Sequence, residues 1–242
     1  MLPGTLRWSS EVEIEMRVHR NVLGRLQRMT VATWLIVCSS SLAAEEPLRL
    51  GLESIDITPP LQYRMSGYFS ERVSAGIHDP LHAKAAVFTQ GDQTFVLLFC
   101  DIIGISADVS SRARKQIEAK LGIPRSNVLI AATHSHTGPL YFGALRKHFH
   151  DQVVARTGND PLEEVDYPKQ LVDRIVQVVS DAHAARQPVR FSSATGDERT
   201  LSFNRRFHMK SGPVRFNPGQ LNPDIVRVAG PIDPEVGLLA FR

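Results

Sequence analysis

The sequence predicts an α/β fold, a mixed sheet with flanking helices, and three observations carry the prediction. Between residues 48 and 195, short apolar runs of strand character alternate with apolar residues recurring every four positions, the mark of an amphipathic helix. Gly and Pro punctuate the junctions. Over 242 residues, 43% hydrophobic and 22% charged content is that of a globular chain, which excludes a disordered, collagen-like or coiled-coil protein.

Leu48 to Ile57 reads as a strand stopped by Thr58-Pro59-Pro60. Ala83–Thr89 and Thr94–Cys100 are strands joined by Gln90-Gly91-Asp92-Gln93, a hairpin turn in which Gly can take positive φ. Asp108 is expected to cap a helix with Val109, Ala113, Ile117 and Leu121 on one face, ended by Gly122 and Pro124. Asn127–Ala132 is a short strand running directly into the polar THSHTGP. A second helix covers Val165 to Ala185, with Leu171, Ile175, Val178 and Ala182 on one face, and Val189–Thr195 is another strand. Residues 196–234, rich in Pro, Gly, Asn and Arg, read as a long loop of the kind that is usually functional or covered. Glu235–Arg242 is an apolar strand that stops with the chain, which is expected to be cut short inside a larger domain.

The N-terminal residues are expected to be a targeting segment rather than fold. Arg25 and Arg28 precede an apolar stretch from Val31 to Cys38, and Ser41-Leu42-Ala43 has the small-x-small order of a signal-peptidase site. Residues 29–44 are therefore read as a signal peptide, residues 1–28 as an over-extended start before Met29, and 45–242 as the domain. A secreted or periplasmic location follows; the alternatives are a buried helix of about three turns or a lipoprotein at Cys38. A net charge of +3 is too small to argue for nucleic acid, and no apolar run is long enough to span a bilayer. Two cysteines, Cys38 and Cys100, make neither a disulfide scaffold nor a thiolate metal cluster, so any metal would need His, carboxylate or Tyr ligands.

Three clusters could carry chemistry. In Ala132-Thr133-His134-Ser135-His136-Thr137-Gly138-Pro139, residues i and i+2 of an extended segment share a face, so both imidazoles would enter one space at the strand's C-terminal edge. Imidazole binds metals and shuttles protons; the alternative is a surface turn whose histidines bond the backbone. In Gly76-Ile77-His78-Asp79-Pro80-Leu81-His82, two histidines flank a turn starter and are expected to be structural more often than ligating. Asp56 is expected to cap the Thr58-Pro59-Pro60 turn, and Asp101, ending a strand, to act in a site or to orient a histidine. The third cluster is Asn204-Arg205-Arg206, where a guanidinium fork could hold a carboxylate, a phosphate or an oxyanion, or simply be solvated.

Taken together, Asp56-Ile-Thr-Pro-Pro60, Gly67-Tyr68, Gly76-Ile-His-Asp-Pro-Leu-His-Ala-Lys-Ala85, the His134-Ser-His136 motif, Asn204-Arg205-Arg206 and Ile232-Asp-Pro-Glu-Val236 resemble, in order, the neutral/alkaline non-lysosomal ceramidases and their bacterial relatives. The resemblance covers about residues 48–242 and implies the N-terminal part of a larger catalytic domain. It implies a zinc amidohydrolase that cleaves the N-acyl bond of ceramide to sphingosine and a fatty acid. His134 would hold zinc, His136 would lie beside it, and Arg205 would contact the reacting group; zinc would polarise the amide carbonyl and acidify a water. The implied partner is a ceramide-like or other N-acyl lipid, met through peripheral membrane contact and without nucleic acid. In the family the remaining ligands (a second His, a Glu and a Tyr), the active-site serine and an immunoglobulin-like domain come after the point matching residue 242. The competing expectation is a catalytically inactive remnant that binds a lipid or a partner. A metal hydrolase of another lineage, built on an eight-unit barrel, is a third and disfavoured expectation, because the chain has too few strand–helix units.

Overall fold

Residues 46–242 are described by the computed structural model; the signal and start assignments at residues 1–44 lie outside them. Strands β1 (Arg49–Asp56), β2 (His82–Gln90), β3 (Gln93–Cys100) and β4 (Val128–Ala132) form a sheet completed by the two-residue β5 (Gln187–Pro188). The strand order is β4-β3-β2-β1-β5. Neighbours run antiparallel except β3 and β4, which are parallel, so the sheet is mixed as expected. The β2–β3 hairpin closes through Gly91-Asp92, with Gly91 at φ 53°, where a two-residue loop needs the left-handed region.

A parallel neighbour requires a crossover, and helix α1 (Ala107–Leu121) supplies it between β3 and β4. Its cap is Ser106, whose hydroxyl accepts from the Val109 N–H; Asp108, expected there, instead sits in the first turn, where a carboxylate complements the helix dipole. Gly122 at φ 70° ends the helix as expected. Helix α2 (Gly143–Thr157) was not legible beforehand. Only Phe149 is buried along it, so it carries no apolar stripe to read. Helix α3 (Tyr167–Ala184) has the expected amphipathic face, burying Leu171, Val172, Ile175, Val178, Val179 and Ala182.

Helices α1 and α3 cover one face of the sheet, and the core lies between them and Ala83, Ala85, Val87, Val96 and Leu98. Each fully buried Val, Leu or Ile contributes roughly 1.5–3 kcal/mol of transfer free energy. Packing is close enough that Gly51 of β1 lies against the Ala182 carbonyl of α3 with no room for a Cβ. On the opposite face Leu52, Phe95, Phe99 and Leu129 remain exposed. Cys100 is buried and in no disulfide, its thiol pushed up to about 12 by burial and then by the neighbouring Asp101 charge.

Strand β6 (Phe191–Asp197) pairs antiparallel with the terminal β10 (Glu235–Phe241). The stretch expected to be an irregular loop contains a three-stranded antiparallel sheet instead, β7 (Arg206–Met209), β8 (Val214–Phe216) and β9 (Ile225–Val228), in the order β8-β7-β9. These strands have three or four residues and mostly exposed or half-buried side chains, so neither length nor alternation marks them in the sequence. Among the described residues no helix is long and apolar enough to cross a membrane.

Candidate active site

Because β3 and β4 are parallel neighbours, both point their C-terminal ends to one edge, where Asp101 and the histidine turn emerge together. Backbone ties continue past the strands: Thr133 N–H donates to Cys100 O at 3.0 Å and Ser135 N–H to Ile102 O at 3.2 Å. His134 has φ 64°, a left-handed conformation costing on the order of 1 kcal/mol or more and concentrated at functional sites. The segment is therefore not the simple extended strand from which the two imidazoles were expected to share a face. They nevertheless meet, with ring centroids 5.0 Å apart and planes at 70°.

The His134 ring is oriented by a backbone carbonyl: its Nδ1 lies 2.9 Å from Ile103 O. A carbonyl only accepts, so Nδ1 carries the proton and donates, and Nε2 keeps its lone pair for a ligand. His136 is exposed like His134 and lies edge-on to Tyr68 at 6.2 Å, while the Arg72 guanidinium sits 3.6 Å above the Tyr68 ring. Gly67, at φ 99°, packs directly on His136; a Cβ there would fall 2.5 Å from the His136 Cβ and Cγ. Only glycine fits that approach.

The alternate residues face elsewhere. Thr133, Ser135 and Thr137 line a cleft of about 450 Å³ together with His78 and Asp101. Asp101 takes the His82 backbone N–H at 3.2 Å and the Thr133 hydroxyl at 3.3 Å, and lies 3.5 Å from Lys84 Nζ, so it braces backbone rather than a histidine ring. His78 pairs with Asp79 at 2.7 Å on the exposed surface, while the buried Nδ1 of His82 has no hydrogen-bond partner. Asp56 accepts the Thr58 N–H at 2.7 Å, the expected turn cap. In Asn204-Arg205-Arg206, Asn204 accepts from the Arg206 N–H at 3.0 Å and donates to Pro231 O at 3.2 Å. Arg205 is exposed with its guanidinium 5.1 Å from the Phe216 ring. The structure thus brings His134 and His136 together, and among the described residues no hydrogen bond, ion pair or ring contact joins Arg205 to them.

Among the described residues, three ligand-type side chains converge only at His150, Asp160 and Glu163, whose ligand atoms lie within 4.8 Å of one another. These carboxylates are already engaged. Arg64 Nη1 bonds Asp160 at 2.6 Å and Glu163 at 3.2 Å, Arg146 forks onto Glu163, and His150 Nδ1 reaches Asp160 at 2.9 Å. Burial alone would raise the Asp160 carboxyl, but hydrogen bonds from Arg64, the Leu162 amide and His150 hold it below its ordinary value. A cation here would have to displace two guanidiniums, so the cluster is an ion network rather than a metal site. No sequence signal pairs Arg64 with residues almost a hundred positions away, and this network was missed.

The strand edge offers two zinc-type donors: imidazole is a ligand of choice, and one ring is already held in the tautomer that exposes Nε2. Comparison with known proteins bears on the family of the chain. The N-terminal profile of the neutral/alkaline non-lysosomal ceramidases matches residues 48–209. The neutral ceramidase of Pseudomonas aeruginosa is 31% identical over 207 residues, covering 82% of this chain and 28% of that protein. The neutral ceramidase of Mycobacterium tuberculosis is 31% identical over 149 residues, covering 58% and 22%. The crystal structure of the Pseudomonas aeruginosa enzyme superposes with a TM-score of 0.57 at 29% identity, over 81% of this chain and 29% of that one. A ceramidase complexed with C2 superposes with a TM-score of 0.55 at 28% identity. The chain spans less than a third of the length of these relatives.

Proposed function

The chain belongs to the neutral/alkaline non-lysosomal ceramidase family, and from that premise we propose that its strand edge serves hydrolysis of the N-acyl amide bond of a ceramide-like lipid. The observation that carries this reading is the His134–His136 pair, 5.0 Å apart, with His134 held by Ile103 so that Nε2 is open. His134 would hold zinc, and zinc when bound supplies Lewis-acid polarisation of the carbonyl and activation of a water. In the overall reaction the C–N bond breaks, water oxygen bonds the acyl carbon, and one proton goes to the leaving amine. His136, exposed beside His134, is suited to move that proton, and the family resemblance assigns Arg205 to the developing oxyanion.

One observation favours a second reading, in which the chain binds an N-acyl lipid or a partner without turnover. A catalytic zinc has about three protein ligands, and among the described residues no third ligand-type side chain converges on the histidine pair. Zinc titration of this chain, with a fluorescent N-acyl sphingosine as substrate, separates the two. Zinc uptake and amine release, both lost in His134→Ala, are expected for the enzyme; lipid binding with neither leaves the second reading. We also infer export from the order of Arg25, Arg28, Val31–Cys38 and Ser41-Leu42-Ala43. Mass spectrometry of the protein recovered from its cells should find a new N-terminus after residue 43 or 44, and an unprocessed chain inside the cytoplasm would end that reading.

A further inference from the structure

We propose that Arg64 is a positioning residue for the histidine pair, acting through the strip Arg64–Tyr68. Three observations connect it to His136. First, the strip lies along the exit of the histidine turn as a short antiparallel seam. Leu140 N–H donates to Arg64 O at 2.7 Å, Met65 bridges Pro139, and Gly138 O accepts both the Ser66 N–H at 2.9 Å and the Ser66 hydroxyl at 3.0 Å. Second, the next residue, Gly67, is the one packed against the His136 side chain, and Tyr68 follows edge-on to the same ring. A shift of the strip toward His136 would press Gly67 against that ring, and a shift away would remove its packing partner.

Third, the strip is fixed from behind by a buried charge with three carboxylate partners. The Arg64 side chain is wholly buried and reaches in two directions at once, its Nε to Glu71 at 2.7 Å and its Nη1 to Asp160 and Glu163. Glu71 lies on the returning arm of the same loop, where Met65 N–H donates to Arg72 O at 2.8 Å; Asp160 and Glu163 lie beyond α2. One guanidinium therefore clamps the loop to itself and to the helical layer. A lysine has the charge but not the fork, and could satisfy only one of the two directions. Holding a reactive side chain through packed neighbours and hydrogen bonds is the ordinary way a site is kept in its productive geometry.

The consequence for turnover rests on the proposed reading of the histidine pair, but the positioning itself is measurable without zinc or substrate. In the metal-free protein with ¹³C,¹⁵N-labelled histidine, His136 is expected to show nuclear Overhauser contacts to the Gly67 α-protons and the Tyr68 ring. Arg64→Met and Arg64→Lys should both shift or broaden the His136 imidazole signals and lose these contacts. Glu71→Gln, which removes only the half-exposed partner, provides a variant that folds even if the Arg64 variants do not, and should move the same signals less. Gly51→Ala, which strains the fold far from the loop, should leave them in place. Unchanged His136 signals in a folded Arg64→Lys or in Glu71→Gln would overturn the role, as would an equal change in Gly51→Ala. A wild-type chain that takes up no zinc would sink the functional reading while the spectra still decide the positioning.

Discussion

Replacing Asp160 with Asn tests whether the ion network behind the histidine turn is as tightly built as its geometry implies. Asp160 is 1% exposed at the side chain. Its Oδ2 accepts from Arg64 Nη1 at 2.6 Å and from His150 Nδ1 at 2.9 Å, while Oδ1 accepts from the Leu162 N–H at 3.1 Å. Both oxygens therefore face donors only. An amide can place its oxygen on one side, and its NH₂ then meets a donor on the other, whichever way it turns. The substitution also leaves the wholly buried Arg64 with one carboxylate fewer. Breaking a buried ion pair by removing one partner costs about 3–5 kcal/mol, because the remaining charge is uncompensated. For a domain of this size, where 1 kcal/mol moves Tm by ~2–4 °C, the expected loss is roughly 6–20 °C. Urea denaturation of the wild type and of Asp160→Asn, followed by circular dichroism, measures the free-energy loss, and thermal melts of both measure the shift in Tm. A loss under about 1 kcal/mol, the value typical of exposed pairs, would show that the network is solvent-screened and the reasoning wrong.

Other consequences are as open to measurement. The Asp160 carboxyl is held below its ordinary value when folded, so the unfolded chain binds more protons in the acid range and stability falls as pH falls. The difference between wild type and Asp160→Asn should be full above the ordinary carboxylate range of about 4 and should narrow below it; a gap constant from pH 6 to pH 2 would contradict the shift. Gly51→Ala would put a Cβ 1.8 Å from the Ala182 carbonyl oxygen, so β1 and α3 must separate. Overpacking of this kind costs about 1–3 kcal/mol or more, and an Ala variant as stable as wild type would mean that the strand–helix spacing is looser than described.

The sequence was most legible where one principle acts alone. Helix α3 shows its buried face in the spacing of Leu171, Ile175, Val178 and Ala182, and the β2–β3 hairpin shows itself in Gly91-Asp92. Helix α2 was illegible for the opposite reason: its main buried anchor is Phe149, and it is held by ion pairs of Arg146 and His150 whose partners lie outside it. Likewise β7 to β9 are specified by pairing with one another, which no local window contains. At the candidate site the two histidines could be named from their motif, and their meeting was foreseen on an incomplete geometry. The turn bends through the left-handed φ of His134, and contacts with Ile103 and Gly67 set the rings. Arg205 was legible as a residue type only, since its surroundings come from β8 through Phe216.

The crossover between β3 and β4 has a kinetic corollary. Thr133 reaches back to Cys100 across a sequence separation of 33 residues, and helix α1 fills most of that interval. Closing such a loop is entropically mild, and a helix inside it shortens the stretch that must be searched. The edge that frames the imidazoles can therefore organise early during folding, whereas the clamp through Arg64 must wait for a segment 96 residues further along the chain.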